Sequence, residues 1–304
     1  MTAKVAKVIA TCFKPKKIVL KTALCGNPLG FYNHSQNFTT EKDFINLINY
    51  LIDLDNNSNP GCERDLIIVN SDIGSQNANS FIENLNNKTI SHGKIYTLNR
   101  KNIGMSYGSY SDAFIKFRSF YDYFLFTEDD MAIVKDNYFK IGLDILQTSS
   151  DIGFLAYIDI NKSINDKNIS YRWQELGVKK KVDTISCHGA TGLSSTKILN
   201  KVLETHGSLP HHKGLDYDKS ITFGELAFPN SIIKLGYKLS ALPKEIILTE
   251  PTYDLMRGIK YRRFPTILEK LYFYFKNFMY LIFSKNKLSL KVYLNLLKYI
   301  KKND

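Results

Sequence analysis

Leu66-Ile67-Ile68-Val69 is apolar at four successive positions, so a strand there needs cover on both faces. That pattern belongs to a buried parallel strand rather than to a half-exposed antiparallel one. Val5–Cys12 and Ile152–Ile158 are runs of the same kind, and Lys17–Leu24 and Lys94–Leu98 read as further strands. Between them, Phe44, Leu47, Ile48, Leu51 and Ile52 recur at helical spacing behind Thr39 or Thr40 as a cap with an acid a few residues on. Asn79–Leu85, a segment from about Tyr110 to Tyr121, and Asp136–Leu146 supply more helices. Gly26–Asn37, Asn56–Gly61 and the polar stretch Arg100–Gly108 read as loops or turns. Strand and helix alternating over the first 160 residues predict an α/β fold, a mostly parallel sheet with helices on both faces.

Open sheets of this type bind ligands beyond the carboxyl ends of their strands. Two of those ends are acidic here. Asp72 follows the Leu66–Val69 run, and the run Tyr121, Tyr123, Phe124, Leu125, Phe126 ends in Glu128-Asp129-Asp130. Three adjacent carboxylates repel one another unless a cation sits among them, and such oxygen-rich sets suit Mg²⁺ or Mn²⁺. The competing reading is a solvated acidic loop. Two acidic ends in one sheet can converge on one crevice, which favours a metal-and-phosphate site.

Composition excludes several classes. At 304 residues, with 44% hydrophobic and 23% charged positions, the chain has an ordinary globular composition and enough length for one large domain or two smaller ones. No amino-terminal stretch reads as a signal peptide, since Lys7 interrupts the short apolar run Val5–Cys12. The four cysteines Cys12, Cys25, Cys62 and Cys187 are widely spaced without a C-x-x-C pair, which points to free thiols rather than disulfides or zinc. A P-loop is absent, and no G-x-G-x-x-G follows the first strand.

Four motifs in order carry a resemblance. A first strand is followed by one ending in Asp72-x-Gly74-Ser75, then by an Arg100-x-Asn102-x-Gly104 turn, then by a strand ending in the acidic triplet Glu128–Asp130. This order is similar to that of GT-A glycosyltransferases, particularly family 2, over roughly residues 5–160, with a weaker echo to about 240. The resemblance implies a GT-A, Rossmann-like fold with a sugar-nucleotide-binding half (1–160) and an acceptor-binding half (161–256). It implies that Asp72 faces the base or ribose and that Asn102 and Gly104 shape the pocket wall. Asp130 would hold the Mn²⁺ or Mg²⁺ that bridges the diphosphate, with Glu128 or Asp129 assisting through ribose or water. The chain departs from the pattern with Glu at the first triplet position and an extra residue before Asp72.

Farther on, Ser186–Leu193 is similar to the family's Gly-rich segment, where acceptor pocket meets donor. His188 within it would contact a phosphate, metal or acceptor, or else serve as a structural histidine. Gly224-Glu225-Leu226 followed by Lys234-Leu235-Gly236-Tyr237 is similar to the family's Gly-Glu-Asp segment and the helix end after it. In the family the acid pair contributes the catalytic base. Leu226 replaces the second acid, leaving Glu225 to carry that role, with Asp216 and Asp218 in reserve. A bland reading of Glu225 is an acid at a helix N-terminus, favoured by the dipole. Trp173, beside Tyr171 and Arg172, would stack on a sugar or simply pack.

The net charge of +12 is uneven: residues 257–304 hold twelve Lys and Arg against Glu269 and Asp304, ten of the twelve net positive charges. Asn277–Ser284 is too short to span a bilayer, which takes ~20 apolar residues. Leu290, Val292, Tyr293, Leu294, Leu296, Leu297 and Ile300 share one helical face, opposite Lys291, Asn295, Lys298 and Lys302. This basic amphipathic helical tail fits an anionic membrane surface, or a helix docked on the catalytic domain. Nucleic acid is disfavoured, because Lys far outnumbers Arg and no nucleic-acid motif accompanies it. The expectation is a metal-dependent, inverting transferase, cytoplasmic and peripheral on the inner face of the cell membrane. It would move sugar from a nucleotide-sugar donor to a surface-glycan or lipid-linked acceptor in polysaccharide biosynthesis. The alternatives are a nucleotidyltransferase of related fold, or a non-catalytic membrane-associated glycan-binding protein.

Overall fold

A computed structural model describes residues 3–11, 40–72, 75–158, 160–162, 185–187, 191–211, 213, 222–243, 249–251 and 256. The expected strand Lys17–Leu24, the loop Gly26–Asn37 and the tail 257–304 lie outside the described residues. Strands β1 (Val5–Thr11), β2 (Arg64–Asp72), β3 (Thr89–Ile90), β4 (Gly93–Lys101), β5 (Tyr123–Glu128), β7 (Ile152–Ala156), β10 (Gly192–Ser195) and β11 (Lys238–Ala241) form one sheet in the order β11-β7-β10-β5-β1-β2-β4-β3. β1 runs parallel to both neighbours, β2 and β5, and β2 runs parallel to β4. β10 is antiparallel between β5 and β7. β6 (Met131–Ile133) pairs with β12 (Thr249–Pro251), and β8 (Ile160–Lys162) with β9 (Ile185–Cys187), as two small ribbons. This is the α/β, mostly parallel sheet that the GT-A resemblance implies.

The strand periodicity of two splits the core. Ala6, Val8 and Ala10 of β1 face the same side as Ile67, Val69, Phe124 and Phe126. That side packs against α3 (Met105–Phe117), α5 (Thr196–His206) and α6 (Phe228–Lys234), through Tyr110, Phe114, Leu199, Val202 and Ile232 among others. Ile9, Leu66 and Ile68 face the opposite side, against α1 (Glu41–Asn57) and α2 (Gln76–Glu83), while α4 (Tyr138–Thr148) covers Leu125 and Leu155 there. α1 buries Phe44, Leu47, Ile48, Leu51 and Ile52 as their spacing predicts, and begins at a capping box of Thr40 with Asp43.

Several expected helix boundaries shift. Helix α3 begins at Met105, five residues before Tyr110, and so takes in Met105–Gly108, the last four residues of the polar stretch Arg100–Gly108. Gly104, left-handed at φ 73°, turns the chain into the helix. Gly108 fits inside it because its missing side chain leaves room for the Ile103 carbonyl. α2 likewise starts three residues early, where Ser75 Oγ accepts from the Ala78 amide.

Lys7 is the exception in an otherwise small or apolar central strand. It is buried, and its Nζ lies 2.8 Å from Asp55 Oδ1 near the end of α1. Arg64, at the start of β2, places Nη2 3.1 Å from Asp55 Oδ2, and Tyr138, at the start of α4, donates to Asp55 Oδ1 at 3.2 Å. Burial would raise the Asp55 carboxyl, but Lys7 and Arg64 outweigh it and hold the carboxyl below its ordinary range. Burial also works on Lys7, and with only Asp55 in support its ammonium is held below the usual value. The two directions differ in which force wins, and the carboxylate, with two cations, is the firmly charged member.

Removing one member of such a buried set strands the others. Asp55→Asn is expected to lose about 3–5 kcal/mol in urea unfolding at neutral pH. Because the folded carboxyl titrates below its unfolded value of ~3.9, its contribution is complete above that pH and fades as pH falls below it. The gap between wild type and variant should therefore narrow in acid and stay constant between pH 5 and 8.

Candidate functional site

β5, β1, β2 and β4 are adjacent and parallel, so their carboxyl ends share one edge. Register aligns Ala10 with Glu128, Thr11 with Asn70, and Asp72 with Lys101. The two acidic strand ends singled out in the sequence thus lie on the same rim, flanking β1. Asp72 is there as the last residue of β2.

The triplet divides into three environments. Glu128 closes β5 and is half-buried. Asp129 is turned back onto β1: its amide donates to the Ala10 carbonyl at 3.1 Å, and Thr11 Oγ1 donates to its Oδ2 at 2.6 Å. Asp130 presents a buried Oδ1 with no hydrogen-bond partner among the described residues. An acceptor left so costs about 1–3 kcal/mol, and a cation would satisfy it. β6 then carries the chain away, with Met131 in register with Pro251 of β12.

Across the rim, Asn102 and Gly104 lie in a short connection between β4 and α3 that Arg100 pins. Its Nε lies 2.5 Å from Asp112 Oδ2, Nη1 donates to Ser71 Oγ at 3.2 Å, and Nη2 donates to the Ile103 carbonyl at 2.7 Å. Ser71 and Ser109 hydroxyls meet at 3.0 Å beneath it. Gly104 and Met105 both have positive φ, 73° and 51°, an uncommon conformation for Met. The arginine of the Arg-x-Asn-x-Gly motif is thus a structural strut, and the half-buried Asn102 is what the turn presents.

Glu225 arrives from the other half of the chain. It sits in the first turn of a π-helical segment, Thr222–Ala227, that leads directly into α6. Single π turns recur at functional sites. The backbone at Gly224 presses against the Tyr107 ring so closely that any side chain there would overlap it. Burial, then the carboxylates of Glu225 and Glu128, push the Tyr107 phenol well above its ordinary range, so it stays neutral. Tyr110 is held neutral by burial and by Glu128, Asp130 and Asp129. The Cys187 thiol is raised by burial and by Glu225. Tyr107 and Tyr110 rings meet edge-on at 5.8 Å, and Tyr110 rests on Phe126 at 4.8 Å. The acidic rim and Glu225 therefore share one buried aromatic floor.

The fold thus brings together Asp72, Glu128, Asp129, Asp130, Asn102 and Gly104 on one rim, with Glu225 across Tyr107. His188, Trp173, Asp216 and Asp218 lie outside the described residues. Among the described residues no three His, Cys, Asp or Glu form a ready metal-ligand set, so protein carboxylates would share the ion with substrate oxygens, as is usual for Mg²⁺. Tyr107, Tyr110, Cys187 and Thr11 were missed. The i, i+3, i+7, i+10 spacing of Tyr107, Tyr110, Phe114 and Phe117 is the signal that could have found the first two. Gly224→Ala should destabilise the fold by about 1–3 kcal/mol in urea unfolding, and adding Tyr107→Leu should recover part of that loss.

No family model matches the chain, and no curated protein matches it. Solved structures do. A Bacillus anthracis protein described as a glucose-1-phosphate thymidylyltransferase, in complex with a sucrose, matches with TM-score 0.44 and 11% identity over 86% of this chain and 98% of that one. The galactosyltransferase LgtC in complex with donor and acceptor sugar analogues matches with TM-score 0.38 and 12% identity, over 79% and 74% of the two chains. A second LgtC structure, of an active-site mutant, gives TM-score 0.36 and 12% identity over 87% and 81%. Scores of this size carry nothing about chemistry, and the functional reading rests on this chain's own residues.

Proposed function

We propose that this chain is a glycosyltransferase that moves a sugar from a nucleotide-sugar donor to a hydroxyl acceptor, with Glu225 as the base. The observation that carries the reading is Asp130: a buried carboxylate oxygen with no hydrogen-bond partner among the described residues, just past the carboxyl end of β5. Two further observations support it. Asp72 lies on the same rim, and Glu225 is near enough to Glu128 for both to act on Tyr107.

In this reading Asp130 holds a divalent ion, Mn²⁺ or Mg²⁺, while Asp129 is kept off the ion by Thr11. The ion, when bound, offsets the negative charge that develops on the departing nucleoside diphosphate. Asp72 and Asn102, at the ends of the neighbouring strands β2 and β4 on one side of β1, receive the nucleotide. Glu225 takes the proton of the acceptor hydroxyl as that oxygen attacks the anomeric carbon. The bond from that carbon to the diphosphate breaks as the new glycosidic bond forms, with inversion. His188 and Trp173 are assigned to the acceptor side, and Asp216 is held as reserve base.

A screen of common sugar nucleotides with Mn²⁺ tests the reading: one of them should raise the melting temperature, and Asp130→Asn should remove that rise. Glu225→Gln should keep the rise while lowering turnover about 10²–10⁴-fold. Pyrophosphate release in place of nucleoside diphosphate release would instead identify a nucleotidyltransferase, and no response to any nucleotide would sink both.

The acceptor is assigned to a lipid-linked or surface glycan, because the basic, aromatic stretch 257–304 suits an anionic bilayer. The uncharged run Asn277–Ser284 in that stretch is shorter than the ~20 apolar residues a span needs, so attachment would be peripheral; among the described residues no helix is long and apolar enough to cross a membrane. Full-length protein should pellet with vesicles containing phosphatidylglycerol and lose most of that binding at high salt. A chain cut after residue 256 should stay in the supernatant, and equal pelleting of the two would remove the membrane assignment.

A further inference from the structure

Tyr107 is 5% exposed, and its hydroxyl has no hydrogen-bond partner among the described residues. The ring itself is fixed, by the Gly224 backbone on one side and by Tyr110 at 5.8 Å edge-on. The position of the hydroxyl oxygen is therefore set by packing, and only its hydrogen is free to turn. The charges that bear on it most are the carboxylates of Glu225 and Glu128, and burial keeps it protonated between them.

A second hydroxyl is in the same condition. Thr191 is 1% exposed, its Oγ1 has no hydrogen-bond partner among the described residues, and it directly precedes β10, whose Gly192 is in register with Phe126 of β5. Both orphan hydroxyls thus belong to the end of the sheet where β5 runs out into its acids. Folded proteins pair nearly all such groups, so each unpaired one calls for a cause.

The chemistry of the set selects its partner. A phosphate or another anion would meet the repulsion of Glu225 and Glu128. A bare cation gains little from two neutral hydroxyls beside carboxylates. A group carrying several hydroxyls fits, because each can donate to a carboxylate and also exchange a hydrogen bond with a phenol or threonine.

Resting on the transferase reading, we infer that Tyr107 and Thr191 are the specificity-determining contacts for an uncharged, polyhydroxylated sugar, and that the site discriminates against acidic sugars. Tyr107 makes these contacts as a neutral donor whose bond forms only with ligand present.

Tyr107→Phe tests this with two readouts. The hydroxyl has no partner among the described residues, so its removal should leave the melting temperature unchanged or higher. Titration calorimetry with Mn²⁺ then compares bare nucleoside diphosphates with their glucose, N-acetylglucosamine and glucuronate conjugates. Wild type should bind one neutral conjugate more tightly than its bare diphosphate and than its glucuronate counterpart. Tyr107→Phe should weaken that neutral conjugate about three- to tenfold while leaving the bare diphosphate unaffected. Thr191→Val should act in the same direction.

A Tyr107→Phe protein that melts several degrees lower, or that keeps the full preference for the neutral conjugate, overturns the assignment and leaves the transferase reading intact. Tighter binding of the glucuronate conjugate by wild type also overturns it. Wild-type protein that binds none of these nucleotides overturns the transferase reading, and the sugar contacts fall with it.

Discussion

One carboxylate, that of Asp55, holds the four elements at the centre of the molecule in relation to each other. It draws Lys7 of β1, Arg64 of β2 and Tyr138 of α4 to the end of α1. An ammonium in the middle of a central strand would be intolerable alone, and a guanidinium at the start of the next strand would be scarcely better. Together around one carboxylate they define where α1 ends, where α4 begins, and how β1 aligns with β2. The carboxyl ends of those strands, at the far side of the sheet, inherit that alignment. Charge buried at one edge thus sets the rim at the other, although a buried ion set of this kind is weak evidence of net stability.

The amount of this that can be read in the sequence depends on how local the determining physics is. Leu66–Val69 is apolar throughout because β2 is covered on both faces, and a window of four residues carries that information. The same holds for α1, whose buried stripe and Thr40 cap lie within one continuous segment. The start of α3 is harder. Ser106, Gly108, Ser109 and Ser111 give it a turn-like composition; Gly108 is tolerated because Arg100 and the Ile103 carbonyl fill the space against it, Ser109 meets Ser71, and Ser111 Oγ accepts from the Leu209 amide. Asp55 and Arg64 look like ordinary surface charges in sequence, and only the pairing across α1, β1 and β2 reveals them as core.

The site follows the same division. The acids at the tips of β2 and β5 are legible, since apolar runs end abruptly in them, and the parallel sheet places them on one rim. The different environments within Glu128-Asp129-Asp130 are not legible, because Thr11 of the neighbouring strand decides which carboxylate is tied down. Nor is the floor: Tyr107 and Cys187 become part of the site only when a π-helical turn from more distant sequence settles on them. The roles of Asp72, Glu225 and Asp130 in catalysis stand as proposals that the geometry supports.

Gly224 gives that arrangement an unexpected property. With no side chain between the turn and the Tyr107 ring, the thickness of a single aromatic ring acts as the spacer between the segment bearing Glu225 and the helix beside the acidic rim. A spacer of that kind does not compress, and it is shared by two segments distant along the chain. In the proposed transferase the gap left for a substrate would be a gauge set by one residue pair, and altering position 107 or 224 would change the girth of ligand accepted without changing a single acid.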